Sequence, residues 1–209
     1  MAEPRIIIAF DGTSASGKGT LAKLLANKLN YYHLNSGMIF RKIAYLYLNK
    51  NPLNFSTLNH IYGAFNFSKI DNLEMFSETV SNTASKIALI EKVREFAVFQ
   101  QRLIASNKDA IVVDGRDIGT VVFPNAAFKF FFDANIEVRA QRRFNQLQKN
   151  GKGITLSQVL NNLRQRDIRD KNRPIGPLIR NHDYIAMDTT LSSIDKILET
   201  ILTKISNKI

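Results

Sequence analysis

The sequence predicts an α/β fold, a five-stranded parallel sheet flanked by helices. Two observations point to it: short β-branched or aromatic apolar runs are each followed by a helical pattern, and a glycine-rich loop comes directly after the first run. Ile6 to Phe10 is apolar on both alternating faces, which predicts a strand buried on both sides. From Lys18 to Asn30, Leu21, Leu24, Leu25 and Leu29 recur at helical spacing, so an amphipathic helix begins where the loop ends. Ala110 to Asp114, Ala127 to Asp133 and Tyr184 to Asp188 read as further strands, with a weaker fifth at Tyr32 to Asn35. Between Asn49 and Phe76 the pattern dissolves into Asn, Ser, Pro and aromatics, an inserted loop or small mobile subdomain. Ile136 to Asn150 and Leu156 to Asp170 are helical patterns parted by Gly151-Lys152-Gly153, which predicts a helical hairpin with movable arms.

The 209 residues suit one main domain, without internal repeats. Apolar residues at 44% and charged residues at 22% are globular values, which exclude wholesale disorder. The early apolar run of five residues is too short for a secretory segment or a membrane span. Without cysteine there are no disulfides, thiolate metal sites or thiol nucleophile, and a cytoplasmic location is expected. His33, His60 and His182 have no ligand spacing, and Phe130-Phe131-Phe132 suits sheet packing.

The net charge of +11 raises nucleic acid or an anionic membrane surface as a partner. Residues 134 to 182, however, hold eight Arg and three Lys against Glu137, Asp167 and Asp170, leaving only +3 for the rest of the chain. A concentrated arginine cluster fits phosphate oxygens better than it fits a general basic surface. No stacking-aromatic groove accompanies it, so neither nucleic acid nor membrane is the expected partner. A nucleic-acid-binding NTPase, the rival from another class, predicts affinity falling steeply with salt.

Gly12-Thr13-Ser14-Ala15-Ser16-Gly17-Lys18-Gly19-Thr20 matches G-x-x-x-x-G-K between a strand and a helix, the P-loop NTPase arrangement. Its backbone N–H groups and the helix N-terminus would cradle the phosphates of a nucleoside triphosphate, with Lys18 reaching the β- and γ-phosphates. Gly19 stands where a Mg²⁺-binding hydroxyl is usual, so Mg²⁺ is expected to be held by phosphates and water, with Thr20 or Asp114 as the candidate protein donors. Asn107-Lys108-Asp109 lacks the spacer of a guanine-reading motif and precedes a strand, so it reads as a turn. The Lys18-Gly19-Thr20 order instead looks like that of the nucleoside monophosphate kinases. Their acceptor is an ionised phosphate and needs no general base. A kinase for UMP, AMP or an alcohol is the rival enzyme reading, and an alcohol would need Asp114 or Asp117 as base.

Beyond the loop, the chain carries Leu34-Asn35-Ser36-Gly37 with Arg41, Ala84-Ser85 with Val93-Arg94-Glu95, Asp114 to Pro124, and Arg166 to Arg173. On these segments the sequence, from Ile6 to about Leu198, resembles the bacterial cytidylate kinases. The resemblance implies transfer of the ATP γ-phosphate to CMP or dCMP in pyrimidine nucleotide metabolism, and a monomer is the default expectation. It implies a cytosine-reading set of Ser36, Ser85, Arg94, Asp117 and Arg173, with Arg166 and Asp170 on the ribose hydroxyls. Arg41 and Arg116 resemble arginines that grip the acceptor phosphate. Arg139 is similar to a lid arginine over adenine, Arg143 to one touching the transferring phosphates, and Arg169 joins the catalytic set. The implied organisation is a core of residues 1–48, 86–135 and 174–209, an acceptor-binding insert at about 49–85, and an Arg-rich lid at about 136–173.

Cytosine offers an amino donor and two acceptors, which Asp117 beside Ser85 and Arg94 can match, whereas uracil would present an oxygen to the carboxylate. Arg166, Asp170 and Arg173, at i, i+4 and i+7, share one helix face with Arg169. Ser85 and Arg94 are nine apart and half a turn out of phase, so both can meet one base, as the resemblance implies, only if the helix breaks between them, and a break is predicted near Ala88 to Glu91. Two features depart from the relatives: a shorter segment between Arg41 and Ser85, and Ala15 where glycine is usual. Alanine there is expected to require a negative φ.

Overall fold

The structure is a computed structural model that describes residues 6–49, 73–148 and 153–207. Five parallel strands form one sheet in the order β2-β3-β1-β4-β5, with β1 Ile6–Gly12, β2 Tyr32–Asn35, β3 Ala110–Asp114, β4 Phe128–Asp133 and β5 Ile185–Asp188. The central strand β1 runs two residues past its predicted end, because Asp11 and Gly12 pair with Phe131 and Phe132 of β4. The helices are α1 Lys18–Leu29, α2 Gly37–Asn49, α3 Glu78–Ile87, α4 Glu91–Ala105, α5 Ile136–Gln148, α6 Leu156–Asn172 and α7 Ile194–Ser206.

One face of the sheet packs Phe10, Phe130 and Phe132 against α1 and α7, while Ile7, Ala9, Ile111 and Val113 face the layer containing α4. Phe10 and Phe132 stack tilted, with ring centroids 4.6 Å apart, and removing each such ring from water contributes about 1.5–3 kcal/mol. Phe131 points the other way and meets Tyr184 edge-on at 6.1 Å. A separate cluster of Ala140, Leu147, Val159 and Leu163 holds α5 against α6, the predicted hairpin. Thr155 starts α6 with a capping box to Gln158, while Gly151 and Lys152 lie outside the described residues.

The predicted break is present. Helix α3 stops at Ile87 and α4 starts at Glu91, with Ile90 extended between them (φ −83°, ψ 119°). Most of the predicted insert, residues 50–72, lies outside the described residues, and Leu73–Phe76 forms one 3₁₀ turn before Ser77 caps α3.

Candidate active site

The glycine-rich loop leaves the carboxyl end of β1, where its neighbours dictate the residue types. A side chain at Gly12 would collide with the Phe132 carbonyl of β4, to which Thr13 N–H donates at 3.1 Å. Ser16 Oγ and Lys18 Nζ both donate to the Thr13 carbonyl, at 3.0 and 3.1 Å, and Thr189 Oγ1 donates to the Ser16 carbonyl at 2.7 Å. The loop is thereby braced from inside and from the segment after β5. Burial, and then Arg116, holds the Lys18 ammonium well below its usual pKa. A polyanion relieves both penalties.

Ala15 corrects the expectation of a negative φ, because its φ is +59°. The left-handed conformation costs about 1 kcal/mol for a residue with a Cβ. Against that cost, the Ala15 methyl packs on the α5–α6 cluster, so the loop and the hairpin share an apolar contact.

Cations from several elements converge on a cavity of about 290 Å³ that runs from the loop toward α3. Arg116, on the turn after β3, donates to Ser14 Oγ and to Asp170 Oδ2, both at 2.8 Å, and so ties the loop to α6. Arg41 Nη1 reaches the Met75 carbonyl and Ser81 Oγ at 2.8 and 2.7 Å. Burial, then the charge of Arg166, lowers the Arg41 pKa to about 9, and burial followed by Arg116 lowers that of Arg166 to about 10. Asp170 stays below its usual value: burial opposes ionisation, but Arg116, Arg166 and Arg173 outweigh it. Such crowding of positive charge is the electrostatic signature of a phosphate site.

Two arginines of α5 occupy different places. Arg143 lines the cavity and pairs with Glu78 at 3.1 Å, linking the hairpin to the start of α3. Arg139 is buried outside the cavity lining, bonded to Asp167 at 2.7 Å, the Ala134 carbonyl at 2.8 Å and the Ser14 carbonyl at 3.2 Å. Arg169 donates to Ser85 Oγ at 3.2 Å.

At the far end of the cavity, Asp117 is buried and pairs with both Arg94 and Arg173, the latter at 3.2 Å. Arg94 Nε and Nη1 are buried without a hydrogen-bond partner among the described residues. Arg173 corrects the prediction of one continuous helix face. Helix α6 ends at Asn172, and Arg173 is extended (φ −66°, ψ 142°) because Pro174 disfavours a helical predecessor. It still lines the same cavity as Arg166 and Asp170. Ser85 and Ser36 line it too, the Ser36 hydroxyl donating to the Asp114 carbonyl at 2.7 Å. Arg94 stands outside the lining, and Asp117 presents the pair to the cavity. At Gly176, φ is +59°, and a Cβ would strike Arg94 and Asp117, so only glycine leaves this pair undisturbed.

Sequence reasoning missed three partners. Glu78, the first residue of α3, holds Arg143, and His33 Nε2 lies 2.7 Å from Asp114 Oδ1. Asp11 is fully buried and accepts from Ile118 N–H, Gly119 N–H and the Tyr184 hydroxyl. A carboxylate between Phe10 and Gly12 was a visible signal of buried charge, but nothing in the sequence named its donors. Burial raises the Asp11 pKa to about 6, against the lowering effect of those donors. A carboxyl raised above its unfolded value of 3.8 adds stability fully below that value and loses it as pH rises through about 6. The wild type should therefore gain on Asp11→Asn by up to about 3 kcal/mol as pH falls from 7 to 4. Urea unfolding at each pH measures this, and a constant difference between the two proteins would refute it.

The family model described as cytidylate kinase matches residues 8–207. The chain belongs to the cytidylate kinase family. Similar family members include a cytidylate kinase of Clostridium botulinum, 37% identical over 95% of this chain and 96% of that protein. A cytidylate kinase of Fusobacterium nucleatum is 38% identical over 96% and 97% of the two chains. Among solved structures, shikimate kinase from Bacteroides thetaiotaomicron shares the fold, with a TM-score of 0.52 at 13% identity, covering 96% of this chain and 98% of that one. The cytidylate kinase match thus spans both the phosphate loop and the Asp117 centre. No helix among the described residues is long and apolar enough to cross a membrane.

Proposed function

We propose that this chain transfers the γ-phosphate of ATP to CMP or dCMP, giving ADP and CDP or dCDP. One observation carries the reading: the phosphate loop and the Asp117 centre open into a single cavity, lined by Lys18, Arg116 and Asp117. The acceptor phosphate is ionised at neutral pH, so alignment and charge neutralisation suffice without a general base. Lys18 and the loop N–H groups hold the donor phosphates, while Arg41 and Arg166 hold the acceptor side. Arg116 and Arg143 stand between them, where negative charge spreads over the equatorial oxygens. Arg169, through Ser85, and Arg139, through Ser14, connect the hairpin to both halves of the site.

Asp117 accepts from the cytosine amino group, with Ser36, Ser85, Arg94 and Arg173 around it, while Asp170 and Arg166 meet the ribose. Closure of residues 136–173 excludes water that would otherwise hydrolyse ATP. Mg²⁺ is the expected cofactor, and Thr20 and Asp114 are the oxygen donors that fit it. One Asp114 oxygen faces His33, and the other lies 3.4 Å from where a Cβ on Gly19 would stand. A hard ion that retains several waters needs few protein oxygens, and bound with ATP it neutralises the β- and γ-oxygens. The same reading includes a cytoplasmic monomer whose partners are its nucleotides, with neither nucleic acid nor membrane among them.

The test is ADP formation from MgATP with CMP, dCMP, UMP, AMP or no acceptor. Turnover confined to CMP and dCMP is expected, and turnover with another monophosphate would discard the cytosine reading. Gly176→Ala, which pushes a methyl into the Arg94–Asp117 pair, should raise KM for CMP about tenfold or more and leave KM for ATP unchanged.

A further inference from the structure

Asp117 occupies the N-cap position of a one-turn π-helix, Ile118–Val122, yet makes no side-chain cap bond. An aspartate there ordinarily satisfies the exposed N–H groups of the first turn. Here its carboxylate is turned away to Arg94 and Arg173. The cap is supplied from 107 residues away: Asp11 accepts from Ile118 N–H at 2.9 Å and, from 108 residues away, from Gly119 N–H at 2.8 Å. Tyr184, ahead of β5, donates to Asp11 Oδ2 at 2.7 Å and orients the carboxylate. A Cβ on Gly119 would lie 2.6 Å from the Tyr184 hydroxyl, so the close approach depends on glycine. Asp11 itself does not line the cavity.

We infer that Asp11, oriented by Tyr184, is a positioning residue for acceptor recognition: by capping the Ile118–Val122 turn in place of Asp117, it frees the Asp117 carboxylate to face the acceptor base. This rests on the cytidylate reading above. Two carboxylates compete for the same pair of amide donors. With Asp11 in place, the amides are satisfied and Asp117 goes to the arginines. With the Asp11 acceptor weakened, Asp117 can fold back onto its own turn and leave the base unread. A π-turn is a suitable place for such control, since single π-turns recur at functional sites. Burying a carboxylate in the sheet is costly, and the three donors it collects give that cost a purpose at the cavity.

The experiment compares wild type, Asp11→Asn and Tyr184→Phe as full chains, by steady-state kinetics and by amide hydrogen exchange across residues 115–123. In Asp11→Asn, KM for CMP should rise about tenfold or more while KM for ATP changes less than about twofold. Exchange in 115–123 should quicken about tenfold or more, with α7 unaffected. Tyr184→Phe keeps the Asp11 acceptors and should shift the same quantities in the same direction by about two- to threefold. Unchanged exchange in 115–123, or equal rises in both KM values, would overturn the positioning role. If Asp11→Asn does not fold, Tyr184→Phe decides by the same criteria. If wild type uses another monophosphate, the cytidylate reading fails, and the KM comparison is made with that acceptor. If wild type shows no acceptor-dependent turnover, the cytidylate reading fails again and exchange alone decides on Asp11.

Discussion

Replacing Arg116 by alanine should lower kcat by about three orders of magnitude or more and leave the protein folded. The guanidinium reaches Ser14 of the phosphate loop with one nitrogen and Asp170 of α6 with another, each at 2.8 Å. On the proposed reading this sets it at the junction of donor and acceptor, where a planar fork can follow charge from one phosphate to the next. Arginines so placed in phosphoryl transfer are worth about 10³–10⁵ in turnover. The fold should survive, because Asp170 keeps Arg166 at 3.9 Å and the field of Arg173. Lysine at this position keeps the charge without the fork and should recover only part of the loss. A coupled ADP assay alongside a thermal melt separates the two effects. If Arg116→Ala turns over within tenfold of wild type, Arg116 is not on the transferring phosphate.

Asp117→Asn should collapse discrimination between CMP and UMP by about 100-fold or more. A carboxylate can only accept, so it favours the cytosine amino group and repels the uracil oxygen. An amide offers a donor as well and can turn to meet either base. The substitution also leaves Arg94 and Arg173 buried beside a neutral group, and removing one partner of a buried pair costs about 3–5 kcal/mol. The ratio of kcat/KM for CMP to that for UMP is the proper measure, because it does not depend on how much of the sample is folded. A ratio equal to that of wild type would mean that Asp117 does not read the amino group, whatever the loss of stability.

Much of this architecture was legible from the chain. Strands β2 and β3 lie where β-branched and aromatic residues placed them, and the break between α3 and α4 falls where the phase of Ser85 and Arg94 demands it once the family resemblance sets both at one base. The phosphate loop was legible because glycine and lysine at fixed spacing are dictated by local backbone geometry and by the ligand. Arg173 shows the limit of periodicity: i+7 spacing put it on the helix, but Pro174 had already ended it. Ala15 shows another limit, since its positive φ follows from the loop's closure and its methyl's contact with the hairpin.

The sequence by itself determined the parallel α/β order, the phosphate loop and a concentration of arginine suited to phosphate oxygens. Those features depend on short-range periodicity and composition, in which each residue's preference is set by near neighbours. Only the tertiary structure decided the pairings: Arg143 with Glu78, Arg139 with Asp167, His33 with Asp114, and Asp11 with Ile118, Gly119 and Tyr184. Asp11 and Tyr184 are 173 residues apart, and their contact exists because β1, β4 and β5 bring their ends together in one sheet. A buried carboxylate must find donors, but which donors it finds depends on the packed geometry of the whole sheet.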